Sequence, residues 1–553
     1  MDTQRMRRGV ARRIGLAVGM FVVATTAGYA GAQEPFGGQP QPGDPSIGGG
    51  QILARGPIHE AFAEPIAFNP GPGIVTPKPP PQTQIDEQPP AQKPQGGDVE
   101  WLPGYWAWDD ERQDYIWISG IWRDIPPGRQ WVPGYWNQAA NGFQWTSGFW
   151  AAVAANGQFD YLPQPPQSLE NGPNTPQPGE DYLWAPGSWA WAQDRYVWKP
   201  GYWVQSQPNW VWVPSSYVPT PSGYVYNDGY WDYPIATRGV QFAPVAFGSQ
   251  VYAQQSFAYT PSYALPVSGL LANLFIRPNQ NRYYYGDYYG SSGLGGGSGY
   301  VPWFGYNQSR LGYDPFYSSM SVQNARRPEW DRGLRDEYRY RVENREARPP
   351  ATFAAQRPFL GNEGRSGRIE ETRGMGLVQP FNAWAGNPQS GHRFVPVGDD
   401  HRGDLARRQG QIREIQQARA RQESQARIPQ GIRPEDHRPQ RLELPHSPVM
   451  AAQQPRFQSP GLVRPPVQPE AHQAFRPTFD REPTHREPGP GQPRVEPRRE
   501  PAQAQPRVEP RREPAQAQPR VEPPREAQPR PPHNEPKVEN RGAEHERPGG
   551  KPR

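Results

Sequence analysis

Between residues 101 and 231 the large apolar positions recur two apart. Examples are Tyr115 and Trp117, Phe143 and Trp145, Tyr196 and Trp198, Trp106 and Trp108, Trp189 and Trp191, and Trp210 and Trp212. Period-two spacing with aromatic enrichment predicts strands with one aromatic face. The pairs are organised by W-x-x-G-x-W. It stands intact at Trp101-Gly104-Trp106, Trp117-Gly120-Trp122, Trp131-Gly134-Trp136, Trp145-Gly148-Trp150, Trp184-Gly187-Trp189 and Trp198-Gly201-Trp203. Two decayed copies follow, one at 212–217 ending in Tyr217 and one at Tyr226-Gly229-Trp231. Copies start at 101, 117, 131, 145 and at 184, 198, 212, 226, so the period is 14 except for one step of 16. The longer step is a two-residue insertion in Asp109-Asp110-Glu111-Arg112. The pattern reads as four repeats, duplicated.

Within each copy the x-x-G-x centre reads as a turn, with Pro and Gly at the positions a type II turn favours. That places Trp117 opposite Trp122 as a cross-strand pair. Asp228-Gly229 suits a tight hairpin. Pro-Gly suits one less well, because a type II turn twists against the strands, and some copies are then corners between strands. One 14-residue unit buries about four large aromatics, roughly 20 kcal/mol at ~200 Å² each and ~25 cal/mol/Å². Ordering it costs about as much, at ~1.5 kcal/mol per residue. Neighbouring units must therefore bury each other's aromatic faces. The expected fold is mainly β: a meander of aromatic repeats in two arrays of four, packed face to face or chained, with one or two short helices and extensive disorder.

The motif and its spacing resemble the WXXGXW (YXWGXW) repeat family of exported bacterial proteins. The resemblance covers residues 101–231. It implies export and repeat architecture, and it carries no activity.

Outside the repeats the pattern divides the chain further. Arg5, Arg7, Arg8, Arg12 and Arg13 precede an apolar run, Ile14 to Ala27, and a small-residue site at Ala30-Gly31-Ala32, so residues 1–32 read as a signal peptide. Residues 33–100 read as a Pro-rich disordered linker, 101–150 as the first array, 151–181 as a second linker and 182–233 as the second array. Residues 234–350 form an aromatic and Gly-rich companion of short strands, with a charged helix near 329–347 carrying Trp330, Leu334, Tyr338 and Val342 on one stripe. Residues 351–553 read as a mostly disordered Pro/Arg/Glu-rich tail. It includes a mostly solvated helix at 405–426 and a 13-residue repeat across 492–530.

Composition sharpens this division. Of 553 residues 74 are Pro and 59 are Gly, yet there are 20 Trp, 27 Tyr and 20 Phe, and 17 of the Trp lie in 101–231. The formal charge of +5 loses +4 with the signal, so it is no nucleic-acid signature. Residues 101–233 hold 5 Lys/Arg against 12 Asp/Glu, and residues 234–553 hold 46 against 33, an imbalance that suits self-association of the acidic repeats with the basic tail. There is no Cys, which excludes disulfides and thiolate chemistry. No His lies between His59 and His392, so Ser-His, Cys-His and His-metal sites are absent from the repeats.

The remaining chemistry is carboxylate chemistry. Asp109, Asp110, Glu111 and Asp114 cluster at the inserted turn, with Asp194 near the counterpart of Asp114. They offer a Ca²⁺ loop or an acid/base pair against the plainer reading of a solvated acidic turn. Arg402-Gly403-Asp404, the Asn307–Ser309 sequon and the glycines at 293–299 are short patterns expected by chance. The tryptophans are either core or a strip that stacks on sugars or protein. Because W-x-W puts both rings on one face, core is favoured. The positions left for stacking are Trp108 and Trp191, running past the packed edge, and Tyr105, Tyr135 and Tyr202 on the opposite face. The expected protein is a non-enzymatic, exported structural or interaction protein of the cell envelope, in the periplasm, at the cell surface or outside the cell. It has no catalytic residue, metal or cofactor, no nucleic-acid partner and no membrane span after signal cleavage. Its partner is an envelope protein or a polysaccharide. The alternatives are a polysaccharide- or cell-wall-binding module and a carboxylate-dependent glycan hydrolase.

Overall fold

Each pair of successive motifs forms one antiparallel hairpin. The computed structural model describes residues 49–292, 299–360, 376–428 and 438–451, all within one unit. The signal peptide, the Gly-rich stretch at 293–298 and the 13-residue repeats lie outside the described residues. In the first hairpin Val99–Leu102 and Tyr105–Asp109 run against Asp114–Ile118 and Ile121–Asp124. The second is built from Arg129–Val132, Tyr135–Ala139, Gly142–Thr146 and Phe149–Ala152. The third uses Tyr182–Ala185, Ser188–Ala192, Arg195–Lys199 and Tyr202–Gln205, and the fourth Val211–Val213, Ser216–Thr220, Gly223–Asn227 and Tyr230–Asp232.

The pairing differs from the expected one. Trp117 lies opposite Trp106, and Trp122 opposite Trp101. The chain reverses between motifs, at the polar segments, and x-x-G-x is a break in mid-strand where the ladder skips two residues on each side. Asp228-Gly229 is such a break, not a hairpin turn. Eight aromatic pairs result, all with ring centroids 5.1 to 5.4 Å apart. The 14-residue period is the geometry of a two-residue loop. Gln193 and Asp194 in the third hairpin both have positive φ, +52° and +56°, as a type I′ turn requires. The insertion lengthens the first hairpin's loop to Asp110–Gln113, between the paired Asp109 and Asp114.

The stretch from Gly49 to Asp98, expected as a spacer, is threaded through the core. Ile52, Leu53, Ala54, Ile58, Ala61 and Phe62 are buried. Lacking a ladder of its own, it borrows partners from other segments: Leu53 N–H donates to the Pro244 carbonyl (2.9 Å), Ile58 N–H to Tyr283 (3.1 Å), and the Ile74 carbonyl accepts from Trp145 N–H (3.0 Å). Residues 151–181 are likewise not all linker. Gln158–Leu162 pairs with Gly223–Asn227 on one side and Gln440–Glu443 on the other.

The companion region does consist of short strands. Leu274–Arg277 and Arg282–Tyr285 form the middle of a four-stranded sheet bounded by Gly56–Pro57 and Val301–Pro302. Its aromatic residues Tyr283, Tyr285, Trp303 and Tyr306 join Trp106, Trp117, Trp131 and Trp150 in the largest core cluster.

Among the described residues the three longest helices are α1 (Pro315–Gln323), α2 (Glu329–Glu343) and α3 (Asp399–Gln425). In α2 Trp330, Leu334 and Tyr338 pack on the core, as the stripe predicts, while Val342 is exposed. Helix α3 is not mostly solvated: Leu405, Gln409, Ile412, Ile415, Arg419 and Glu423 form a buried stripe. Half of that stripe is polar, which is why the sequence pattern conceals it. No helix among the described residues is long and apolar enough to cross a membrane.

Candidate functional site

The breaks in the hairpins are where the chemistry concentrates. Two glycines face each other at each intact break, and the ring of the first Trp of one motif lies over the glycine of its partner motif. A Cβ on Gly120 would stand 2.5 Å from Trp101 Cζ2 and 2.7 Å from Glu87 Oε2. One on Gly148 would stand 2.5 Å from Trp131 Cζ2 and 2.8 Å from Glu60 Oε1. The motif thus needs glycine for close approach, not for a turn.

Skipping the ladder leaves the glycine N–H groups without a strand partner, and a carboxylate from outside the repeat takes them. In the first hairpin Glu87 accepts from Gly104 N–H (2.6 Å), Gly120 N–H (2.9 Å) and Trp117 Nε1 (3.0 Å). In the second, Glu60 accepts from Gly148 N–H (3.0 Å) and Trp145 Nε1 (3.1 Å), and pairs with Arg282 at 3.0 Å. In the third, Glu170 accepts from Trp184 Nε1 (3.0 Å) and from Gly187 N–H. The donor pair is always the first Trp and the Gly of one motif. Burial pushes the Glu87 carboxyl up to about 7, while its three N–H donors pull the other way.

The carbonyls at the breaks find donors too. His59 Nε2 meets the Pro103 carbonyl at 3.1 Å, with its ring edge-on to Tyr105. Arg419 Nη1 donates to the Pro133 and Ser147 carbonyls, both at 2.9 Å, and lies over the rings of Tyr135 and Phe149. Arg129 Nη2 donates to the Asp228 and Gly229 carbonyls, both at 3.1 Å, over Tyr230. The fourth hairpin carries Ser215 at the first glycine position and has, among the described residues, no carboxylate accepting from its break N–H groups; Trp212 and Trp231 Nε1 are buried and unpartnered there, as Trp101 and Trp122 Nε1 are in the first.

Neither sequence pattern nor composition singled out Glu60, Glu87, Glu170 or Arg419. A signal existed for two of them: Glu87 and Glu170 each stand 14 residues before the first Trp of an array, Trp101 and Trp184.

The expected stacking residues separate. Trp108 is buried, edge-on to Tyr115 with Lys78 over its ring, so it does not run past the packed edge. Tyr105 and Tyr135 are buried beneath His59 and Arg419. Trp191 and Tyr202 are half-buried. The first and third hairpins differ. In the first, Trp101, Trp106, Trp108, Trp117 and Trp122 are buried; in the third, Trp184, Trp189, Trp191, Trp198 and Trp203 are only half-buried, while Trp136 of the second is half-buried and Trp231 of the fourth is buried. Three of these indoles donate to the exposed segment 163–181: Trp184 to Glu170, Trp189 to the Gln167 carbonyl (3.1 Å) and Trp203 to the Thr175 carbonyl (3.2 Å).

The acidic turn is held by cations. Asp109 and Glu111 face Arg55, Asp110 pairs with Arg277, and Asp114 pairs with Lys78 at 3.0 Å. Asp194 sits in a different hairpin's loop. Among the described residues no group of three or more His, Cys, Asp or Glu is arranged to hold a metal. Asn307 of the sequon is engaged by Ser318 and Asp314, and Arg402-Gly403-Asp404 lies inside α3. Arg408 pairs with Glu100 and Arg441 with Asp160 (2.7 Å).

These hairpins, broken at paired glycines and, in the first three, closed by an imported carboxylate, define a repeat module. The family model described as the WXXGXW repeat matches it twice, at residues 101–123 and 179–204. Each match spans two motifs of one hairpin, so the hairpin is the repeating unit. No curated protein and no solved structure matches the chain.

Proposed function

We propose that this protein is a non-enzymatic, exported structural or interaction protein of the bacterial cell envelope, and that its third hairpin is the face that meets a partner. One observation carries the reading. Tryptophan positions that are buried in the first hairpin are only half-buried in the third, at Trp184, Trp189, Trp191, Trp198 and Trp203. Partly accessible aromatics gathered on one hairpin are what a binding surface offers, whereas scattered ones need no explanation. The engagement of the acidic turn by Arg55, Arg277 and Lys78 supports a non-catalytic role for that turn.

The test is fractionation of the tagged full-length protein together with a Trp189→Ala/Trp198→Ala variant. The expected result is that the native protein partitions with the envelope and the variant is released while its circular dichroism is unchanged. A native protein found only in the soluble cytoplasm overturns the reading. A second reading, a polysaccharide-binding module, is favoured by the cleft beside the third hairpin.

A further inference from the structure

A cleft of about 700 Å³ opens beside the third hairpin, within the ~300–1,000 Å³ typical of small-molecule sites. Three walls form it: the hairpin itself through Trp184 and Trp203, the segment 163–181 pinned by Glu170, and the loop before α1 through Arg310. Trp184 and Trp203 meet edge to face at 5.3 Å and are half-buried, so part of each indole borders the cleft. The charges around it are unequally matched. Glu170 is held by Trp184 Nε1 and Gly187 N–H, and Glu180 pairs with Arg326 at 3.0 Å. Arg310 is exposed and makes no ion pair among the described residues.

We propose that this cleft binds a carboxylate-bearing saccharide, with pyranose C–H faces against Trp184 and Trp203 and the sugar carboxylate on the Arg310 guanidinium. Indoles match the apolar faces of sugar rings, and guanidinium matches a carboxylate through two parallel hydrogen bonds. Glu170 is a positioning residue that fixes the wall of segment 163–181. The inference rests on the polysaccharide-binding reading of the third hairpin.

The experiment is titration of the full-length protein, followed by calorimetry and indole fluorescence, with short oligouronates, neutral chito-oligosaccharides and a poly-glutamate peptide. The expected result is saturable oligouronate binding that perturbs the indole emission. Arg310→Ala weakens it about tenfold or more and Arg310→Lys less. Tyr340→Ala, an exposed change on α2, leaves binding unchanged. Trp203→Ala adds to the case where circular dichroism shows it folded, and Arg310→Ala, on an exposed side chain, decides it otherwise. Absence of oligouronate binding, equal binding of the neutral sugar by native and Arg310→Ala protein, or equal affinity for poly-glutamate each overturns the proposal. If oligouronates fail while the protein still partitions with the envelope, the cleft assignment falls and the interaction reading stands.

Discussion

At the scale of single residues, the W-x-x-G-x-W motif is a device for crossing two strands without a continuous ladder. Glycine admits the partner's indole, the first Trp supplies an N–H, and together they hold a carboxylate in the core. Gly148 is a tightly constrained test, because Trp131, the Val132 carbonyl and Glu60 all surround the place of a Cβ. Gly148→Ala is expected to cost about 3 kcal/mol or more, at the upper end of overpacking in a filled core. Gly128→Ala, where nothing lies within 4 Å but φ is +68°, is expected to cost about 1 kcal/mol. Urea unfolding of both variants checks the order, and equal costs would refute the crowding argument. Glu87→Ala is expected to destabilise by several kcal/mol, since two buried N–H donors and a part-buried third lose their acceptor, the buried ones at about 1–3 kcal/mol each. Glu170→Ala should cost less, because its site is half-open to water that can replace the carboxylate.

At the scale of elements, helix α3 is a polar clamp. Arg419 bridges the broken strands of the second hairpin, and Glu423 pairs with it at 2.8 Å while accepting from Tyr135 and Tyr161 hydroxyls at 2.7 and 2.8 Å. Removing Arg419 leaves Glu423 buried and uncompensated, so Arg419→Ala is expected to lose about 3–5 kcal/mol. Arg419→Met with Glu423→Leu should recover most of it. Hydrogen exchange across 129–152 gives the readout, with protection lost in the single variant and regained in the double.

The sequence pattern made the strands, the 14-residue register, the duplicated array and the helix near 329–347 legible, because period-two aromatics and helical stripes are local signals. It misplaced the reversals, since a turn inside the motif and a turn between motifs repeat with the same period. The insertion at 109–112 is the mark that separates the two readings. Hairpin loops accept extra residues, while a Trp–Gly crossing does not. The buried course of residues 49–98 and the inner face of α3 stayed hidden for another reason. Both are held by polar atoms and long-range partners, Ile58 with Tyr283 and Arg419 with Pro133, and these leave no periodicity along the chain. Of the stacking candidates, Trp191 and Tyr202 keep partial exposure. Arg310, to which no pattern pointed, became visible only through its exposed place on the cleft.

At the scale of the whole molecule, the buried titratable groups set an acid-leaning stability profile. Burial pushes Glu87 from 4.5 up to about 7 and Asp314 from 3.8 up to about 7. A carboxyl whose pKa is raised by folding contributes stability that is full below its unfolded pKa and is lost as pH rises through the folded one. His59 works the other way. Burial lowers it from 6.5 to about 3, so its contribution is full above pH 6.5 and is lost as pH falls towards 3. Between pH 6.5 and 4.5 two carboxyls therefore oppose one imidazole. Acidification through that window should add about 1.4 kcal/mol of stability per pH unit from these three groups. The melting temperature is expected to be higher at about pH 5 than at about pH 7.5, and Glu87→Gln should flatten the slope. A profile that declines steadily below neutrality would contradict this account.

The buried ion pairs tie the two arrays into one body. Arg123 of the first hairpin meets Asp232 of the fourth at 2.6 Å, with Arg238 beside it at 3.2 Å. The imported carboxylates add a limit on growth. A hairpin copied on its own arrives with its tryptophans and glycines but without Glu60, Glu87 or Glu170, which belong to the sequence around it. Extra copies would then be expected to resemble the fourth hairpin, with a serine at the glycine position and no imported glutamate at the break. The number of sound repeats a chain can carry is set by how many glutamates its connecting segments can deliver, not by how many motifs it duplicates.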